Sequence, residues 1–462
     1  MVKIKLLVTA CLIMLLASCK NGKQPPLPNV LILYADDLGW SDLGCYGSIK
    51  NETPHLDKLA SEGLRFTRAY APAPICSASR ASILTGKSPA RLNFEFVSTK
   101  GRIADQPLLP PKRTLDLPLE EVTLGEIAQN AGYNTAFFGK WHVAEHNGGY
   151  LKWSDTHGPF QQGFELGSDH YGSHPYNGKN RNPIQLPEGK FPRDSLVLKA
   201  VDFIEKQHQE DNPFFMIFSS YYVHTPVISN NTWLIEKYQK RLPGASQNEI
   251  QYAAFVETMD HYFGQLLSAL EETGQKENTL VIFTSDNGGH PAYTDNAPLR
   301  GNKWNLYEGG IREPFIVNWL GNSVMQTGEC SVPVIQWDIL PTLCELTGQP
   351  VPQQVEGKSL LPLLMGHSRE FSRESIYWHF PYYHPPKSYE GTKPCSAILK
   401  GDDKLIYFYE DERVELYNLK NDPGEKIDLA GDRPEFASQM KEALMNRLNR
   451  VEARFPVFNP DF

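Results

Sequence analysis

Val30-Leu31-Ile32-Leu33-Tyr34-Ala35-Asp36-Asp37 is the stretch on which the fold turns. An unbroken apolar run of strand length that ends in two acids reads as a buried strand with polar chemistry at its carboxyl end. The pattern recurs. Asn134-Thr135-Ala136-Phe137-Phe138 runs into Gly139-Lys140-Trp141-His142, and Phe214-Phe215-Met216-Ile217-Phe218 leads to His224. Leu280-Val281-Ile282-Phe283-Thr284 leads to Asp286-Asn287-Gly288-Gly289. Short β-branched or aromatic runs alternating with longer helix-like segments predict a layered α/β domain: a large mixed, mostly parallel sheet sandwiched by helices. In open α/β sheets the ligand crevice lies outside the carboxyl ends of the strands, so these four ends can converge although they are far apart in sequence.

Helices are legible between the strands. Thr53 as N-cap, Pro54 at the first helical position and Gly63 after the last turn bracket a short helix. A second is expected from about Asn248 to Leu270, and Phe436, Met440, Leu444, Leu448 and Val451 repeat at helical spacing near the C-terminus. A boundary falls around Gly366 to Arg373. Beyond it Ser396 to Lys400, Lys404 to Tyr409 and Val414 to Asn418 predict a small antiparallel sheet, followed by the terminal helix.

The chain has 462 residues, of which 40% are hydrophobic, 11% aromatic and 21% charged, the composition of a globular protein able to bury a large core. Its first residues follow an export pattern: Lys3 and Lys5, an apolar run from Leu6 to Leu16, then small residues before Cys19. Leu16-Ala17-Ser18-Cys19 resembles a bacterial lipobox, which implies cleavage before Cys19 and a lipid anchor on it, at the periplasm or the outer-membrane surface. The expected organisation is a lipoprotein signal peptide over 1–18, a tether over 19–28, a catalytic domain over 29–370 and a C-terminal subdomain over 371–462. No later run approaches the roughly 20 apolar residues of a membrane span. Loss of Lys3 and Lys5 with the leader takes the formal charge from -9 to -11. A field of that sign repels polyanions, so nucleic acid is not an expected partner and an anionic substrate needs a local basic pocket. The seven cysteines form no disulfide framework and no zinc spacing, although a Cys330 to Cys344 bridge stays open.

Asp36-Asp37 alone would read as a turn or a cap. With Asp286-Asn287 at an equivalent strand end they supply four hard oxygen-bearing side chains, a set suited to Ca²⁺ or Mg²⁺. The segment Cys76-Ser77-Ala78-Ser79-Arg80-Ala81-Ser82-Ile83-Leu84-Thr85-Gly86 then resembles the signature of the type I sulfatases of the alkaline phosphatase superfamily, in which such a cysteine is oxidised to formylglycine. Further blocks are similar to sulfatase blocks in the expected order: Thr53-Pro54-His55-Leu56-Asp57, His224-Thr225-Pro226, Leu299-Arg300-Gly301-Asn302-Lys303 and Glu308-Gly309-Gly310-Ile311-Arg312-Glu313-Pro314. The resemblance implies a sulfuric ester hydrolase with one Ca²⁺ held by Asp36, Asp37, Asp286, Asn287 and modified Cys76. It implies that Arg80 holds the formylglycine hydrate, Lys140 and Lys303 contact sulfate, His142 accepts a proton from the hydrate, and His224 acts on the departing alcohol. Ala78 stands where many members have proline, which points to an anaerobic radical-type maturation enzyme.

By the same resemblance the substrate is a sulfated carbohydrate. Trp378-His379-Phe380-Pro381 looks closest to arylsulfatase-A-like bacterial members, some of which act on sulfated galactose or N-acetylgalactosamine. Candidate sugar contacts are Asp169, His170, His174 and Tyr176, with His379, Tyr382, Tyr383 and His384 from the second subdomain. Two other readings keep these residues: a formylglycine-dependent phosphonate monoester or phosphodiester hydrolase, and a non-catalytic sulfoglycan-binding lipoprotein.

Overall fold

The computed structural model describes residues 27–98, 106–210, 212–367, 369, 371–384 and 391–462. The expected signal peptide and Cys19, with most of the expected tether, lie outside the described residues.

Strands in chain order are β1 (Asn29–Ala35), β2 (Leu64–Tyr70), β3 (Leu108–Leu109), β4 (Asn134–Gly139), β5 (Leu166–Ser168), β6 (Phe214–Ser219), β7 (Thr279–Ser285), β8 (Arg312–Trp319), β9 (Gly328–Cys330) and β10 (Val334–Ile335). All but β3 form one sheet in the order β10-β2-β8-β7-β1-β6-β4-β5, with β9 also on β2. Only β8 runs against its neighbours β7 and β2; the other pairings are parallel. The mixed, mostly parallel sheet is therefore as the sequence predicts. All seven residues of β1 are buried because both of its faces are covered. Val30, Ile32 and Tyr34 enter one core layer and Leu31, Leu33 and Ala35 the other, the period of two that a strand imposes.

The second layer contains helices α1 (Pro54–Glu62), α3 (Ser195–Glu210) and α4 (Gln247–Glu272), and the first contains α2 (Cys76–Thr85). The boundaries of α1 agree with the Thr53, Pro54 and Gly63 signals, but Thr53 does not cap backbone amides. Its hydroxyl donates to Asp57 at 3.0 Å and accepts from the Gly44 amide at 2.9 Å, tying the helix to the preceding loop.

The antiparallel sheet beyond the boundary has four strands, β11 (Ile376–Phe380), β12 (Cys395–Lys400), β13 (Asp403–Phe408) and β14 (Val414–Asn418), in sequential order. The sequence pattern missed β11: Ile-Tyr-Trp-His-Phe is buried throughout and so lacks alternation. Helix α5 (Pro434–Arg450) covers this sheet through Met440, Leu444 and Leu448. The two sheets share a core, since Tyr70, Cys76 and Leu306 pack in one cluster with Trp378 and Leu416. They are also joined by a buried ion cluster, in which Lys404 of β13 lies 2.9 Å from both Glu308 and Glu425.

Cys45, Cys76, Cys330, Cys344 and Cys395 are all free, so the Cys330–Cys344 bridge does not form. Among the described residues no helix is long and apolar enough to cross a membrane.

Lys404→Met keeps the aliphatic stem and leaves two buried carboxylates without their cation. We expect a loss of about 3–5 kcal/mol of stability, measured by urea denaturation; an unchanged midpoint would show that the cluster does not hold the two sheets together.

Candidate functional site: a charged cluster at the strand ends

Strand register gathers the site. Ala35 pairs with Ser285, and Tyr34 and Gly139 each pair with Ser219, so Asp36, Lys140, Ser220 and Asp286 each follow directly on neighbouring strand ends. Two glycines permit the approach. Gly139 has φ 102°, and a Cβ on it would lie 2.0 Å from the Ser219 carbonyl oxygen, which accepts the Lys140 amide hydrogen bond. A Cβ on Gly288 would lie 2.0 Å from the Gly309 oxygen.

Three carboxylates face three cations in this space. Lys140 Nζ donates to both oxygens of Asp36 at 2.9 and 2.7 Å, and Lys303 Nζ to both oxygens of Asp37 at 2.6 and 2.7 Å. Arg80, one turn into α2, donates through Nε and Nη2 to Asp286 Oδ2 at 3.0 and 2.7 Å, and through Nη1 to the Lys140 carbonyl and Ser219 Oγ. All six charged groups are buried. Cys76 opens α2, and its Sγ lies 3.4 Å from His142 Nδ1. His224 Nε2 lies 3.6 Å from Asp37. Its Nδ1 is 2.8 Å from the Thr225 carbonyl and 2.5 Å from Tyr176 Oη, and Nε2 is the nitrogen that faces Asp37. Asp37, His142 and Trp304 adopt left-handed backbone at φ 61°, 59° and 78°, a strain that proteins concentrate at working sites.

Burial acts on every group here, and neighbouring charge decides the sign. It pushes Asp37 up, but Lys303, His224 and Lys140 outweigh it and hold the carboxyl below its usual range. Burial and Asp36 raise Asp286 against the pull of Arg80. Burial lowers Lys303 and Lys140, yet Asp37 and Asp36 raise them further, so both stay charged. Burial holds His142 well below its ordinary value and takes His224 to about 3, leaving both rings neutral at pH 7. The Cys76 thiol is raised, mainly by burial.

The residues present fit a hard divalent cation. Ligand atoms of Asp36, Asp37 and His224 lie within 4.8 Å of one another. Asn287 donates through Nδ2 to Asp37 and the Gly288 carbonyl, while its fully buried Oδ1 has no hydrogen-bond partner. An orphaned amide oxygen beside three carboxylates is costly unless something positive meets it, and a set of oxygens suits Ca²⁺ or Mg²⁺.

The ten residues expected to bind metal or act in catalysis therefore share one cluster; most of the expected sugar contacts do not. His379 is a core histidine of β11, its Nδ1 on Ser396 Oγ at 2.6 Å and its Nε2 on the Arg454 carbonyl at 2.9 Å. His174 is fully buried, with Nε2 on the His224 carbonyl and Nδ1 on the Tyr176 amide. Asp169 pairs with Lys152, and His170 is exposed with Nδ1 on Ser195. Tyr382 is buried on the Pro111 carbonyl. Two candidates do reach the cluster: Tyr176 Oη lies 2.5 Å from His224 Nδ1, and His384 stacks on Trp304, the residue after Lys303, at 3.8 Å. Sequence reading missed Ser219, although it ends a strand by the same logic as the others. It also missed His146 and Tyr150, whose rings continue from His142 toward Tyr176 and which no motif marks.

With this geometry in view, likeness to known proteins is informative. The family model described as Sulfatase matches residues 28–349, and that described as N-sulphoglucosamine sulphohydrolase, C-terminal, matches 301–454. A sulfatase of Formosa agariphila is 32% identical, covering 95% of this chain and 91% of the relative. Human arylsulfatase A is 31% identical (90% and 86% covered), and human N-acetylgalactosamine-6-sulfatase 32% (92% and 85%). The crystal structure of Ps i-CgsB in complex with k-i-k-neocarrahexaose superposes with a TM-score of 0.74 at 25% identity, covering 91% of this chain and 93% of that one. The chain belongs to the sulfatase family, as a type I sulfatase of the alkaline phosphatase superfamily. It is a sulfuric ester hydrolase.

The buried His379 sets a pH dependence. Burial takes it down to about 4 from 6.5. Below pH 6.5 the unfolded chain binds a proton that the native ring refuses, so stability falls as pH drops toward 4, by up to about 1.4 kcal/mol per pH unit for this proton. His379→Gln should lose that part of the slope, as read from urea midpoints between pH 7 and pH 4; an identical slope would exclude this source.

Proposed function

We propose that this protein hydrolyses sulfate esters of a sulfated carbohydrate, with Cys76 converted to formylglycine and one Ca²⁺ held by Asp36, Asp37, Asp286, Asn287 and residue 76. The observation that carries the reading is the placing of Cys76 at the head of α2, 3.4 Å from His142 and against the cluster of Arg80, Lys140 and Lys303. As a thiol it is held protonated by burial and is a poor nucleophile, which favours conversion over direct attack. When formed and hydrated, formylglycine supplies two hydroxyls on one carbon, one to attack sulfur and one to expel sulfate as the aldehyde returns. A bound Ca²⁺ supplies charge that polarises the sulfate oxygens and favours an ionised nucleophile.

The chain's own residues do the rest. Lys140 and Lys303 each carry three donors and hold a single carboxylate, so both can also turn toward a sulfate oxygen. His142, neutral and within reach of residue 76, takes a proton from it as sulfate leaves. His224 faces the departing alcohol through Nε2; neutral at rest, the ring takes up a proton to hand to that oxygen, a charged form that Asp37 favours and burial opposes. Arg80 fixes Asp286 and the ends of β4 and β6, and its positive charge sits beside the reacting side chain.

The names of the relatives support a sulfated sugar, with a lean to galactose or N-acetylgalactosamine sulfate from the likeness to N-acetylgalactosamine-6-sulfatase. The leader pattern supports a lipid anchor on Cys19 at the periplasm or outer-membrane surface. Ala78 supports maturation by the anaerobic radical-type enzyme.

Protein co-expressed with such an enzyme is expected to release sulfate from one or more of a panel of position-defined galactose, N-acetylgalactosamine, glucosamine and fucose sulfates, and Cys76→Ala from none. No release with formylglycine confirmed at position 76 by mass spectrometry, or preferential turnover of a phosphonate monoester, would overturn the reading. On the best substrate, Lys140→Ala and Lys303→Ala should each lower kcat/KM by about 100-fold or more. Chelation should abolish turnover and Ca²⁺ restore it; activity that survives exhaustive chelation would remove the metal from the reaction.

A further inference from the structure

The loop that follows β5 carries His174 and Tyr176, whose surroundings give them work other than holding a sugar. The Tyr176 ring is packed among Tyr150, Tyr171, His174 and Tyr221, with ring centres 4.2 to 5.7 Å from its own, so its faces are largely taken. Its hydroxyl points away from this aromatic nest to His224 Nδ1, 2.5 Å distant. His174 is fully buried, and burial keeps its ring neutral with a single proton. The His224 carbonyl, 3.0 Å from Nε2, can only accept, so the proton sits on Nε2; Nδ1 then accepts the Tyr176 amide at 3.2 Å.

These bonds close a ring. His174 ties the backbone of Tyr176 to the backbone of His224, and the Tyr176 side chain returns to the imidazole that the same backbone carries. The torsion that turns an imidazole about its own axis has broad wells, so a bond at one nitrogen decides where the other points. Here the bonded nitrogen is Nδ1, and Nε2 faces Asp37 at 3.6 Å on the side of the reaction centre. The Thr225 carbonyl also lies 2.8 Å from Nδ1, but a carbonyl only accepts. A hydroxyl both gives and takes, so the bond to Tyr176 can persist whether the ring carries one proton or two.

We propose that Tyr176 is a positioning residue: anchored through His174 and bonded to Nδ1, it holds the His224 imidazole with Nε2 toward the departing alcohol. The inference rests on the reading of His224 given above. In the step it serves, the alcohol oxygen leaves sulfur with the bonding electron pair, displaced by a hydroxyl oxygen of residue 76, and takes the proton from Nε2. The test uses matured full-length protein and two substrates, the best sugar sulfate of the panel and 4-nitrophenyl sulfate, whose phenolate is a weak base that leaves without a proton. Tyr176→Phe keeps the packed ring and removes only the oxygen. With an unchanged melting temperature, it is expected to lower kcat on the sugar sulfate about tenfold, with KM within about twofold, and kcat on 4-nitrophenyl sulfate by less than about threefold. His224→Ala should show the same selectivity on a larger scale, and adding Tyr176→Phe to it should cost nothing further, because the two residues act as one unit. A loss shared equally by the two substrates, a loss confined to KM as a direct sugar contact would give, or losses that multiply in the double variant would each overturn the proposal. Should His224→Ala spare the sugar sulfate, the role given to His224 fails and the positioning role with it, while turnover of that ester leaves the sulfatase reading standing.

Discussion

The guanidinium of Arg80 is the point to which the rest of the site is referred. It reaches from α2 to the ends of three strands of the sheet, β4 through the Lys140 carbonyl, β6 through Ser219 and β7 through Asp286. A buried charge of this kind costs several kcal/mol in desolvation, and only a full set of partners offsets it. That demand fixes where α2 lies, and the composition of the helix answers it. Ser77, Ala78, Ser79, Ala81 and Ser82 are small enough for all ten residues to be buried on every side. Cys76 occupies its position because Arg80 occupies its own.

Burial alone does not separate working charges from structural ones. Lys404, between Glu308 and Glu425, is as deeply buried as Lys140, and its charge is balanced within the protein. At the strand ends a neutral amide oxygen is left over: Asn287 Oδ1 has no donor to meet it. Glu313 nearby, with neither oxygen paired, is pushed far above the usual carboxyl range by burial and by Asp286, and stays neutral behind the site.

Much of this was legible in the sequence because strands encode it directly. A both-sides-buried strand must be apolar until it emerges, so the residue at which β1, β4 or β7 turns polar marks the crevice. Parallel register then brings Asp36, Lys140 and Asp286 together without any knowledge of side-chain contacts. The failures have the opposite character. The reversed direction of β8 leaves no mark on its composition. His174 and His379 look like ligands when read singly, and only tertiary packing assigns their ring nitrogens to the His224 and Arg454 carbonyls. Trp304 and Tyr150 matter through the rings packed against them, which a linear pattern does not record.

The depth at which Cys76 lies has a consequence in time. The side chain opens a helix that is sealed on every side, with the second subdomain packed over the same core. No macromolecule can reach that sulfur in the finished fold. An enzyme that alters it has to act while the segment is still an extended peptide, before the second subdomain, made last in the chain, closes over it. A molecule that misses this interval keeps its thiol, so the order of events during synthesis decides which members of a population carry an altered side chain.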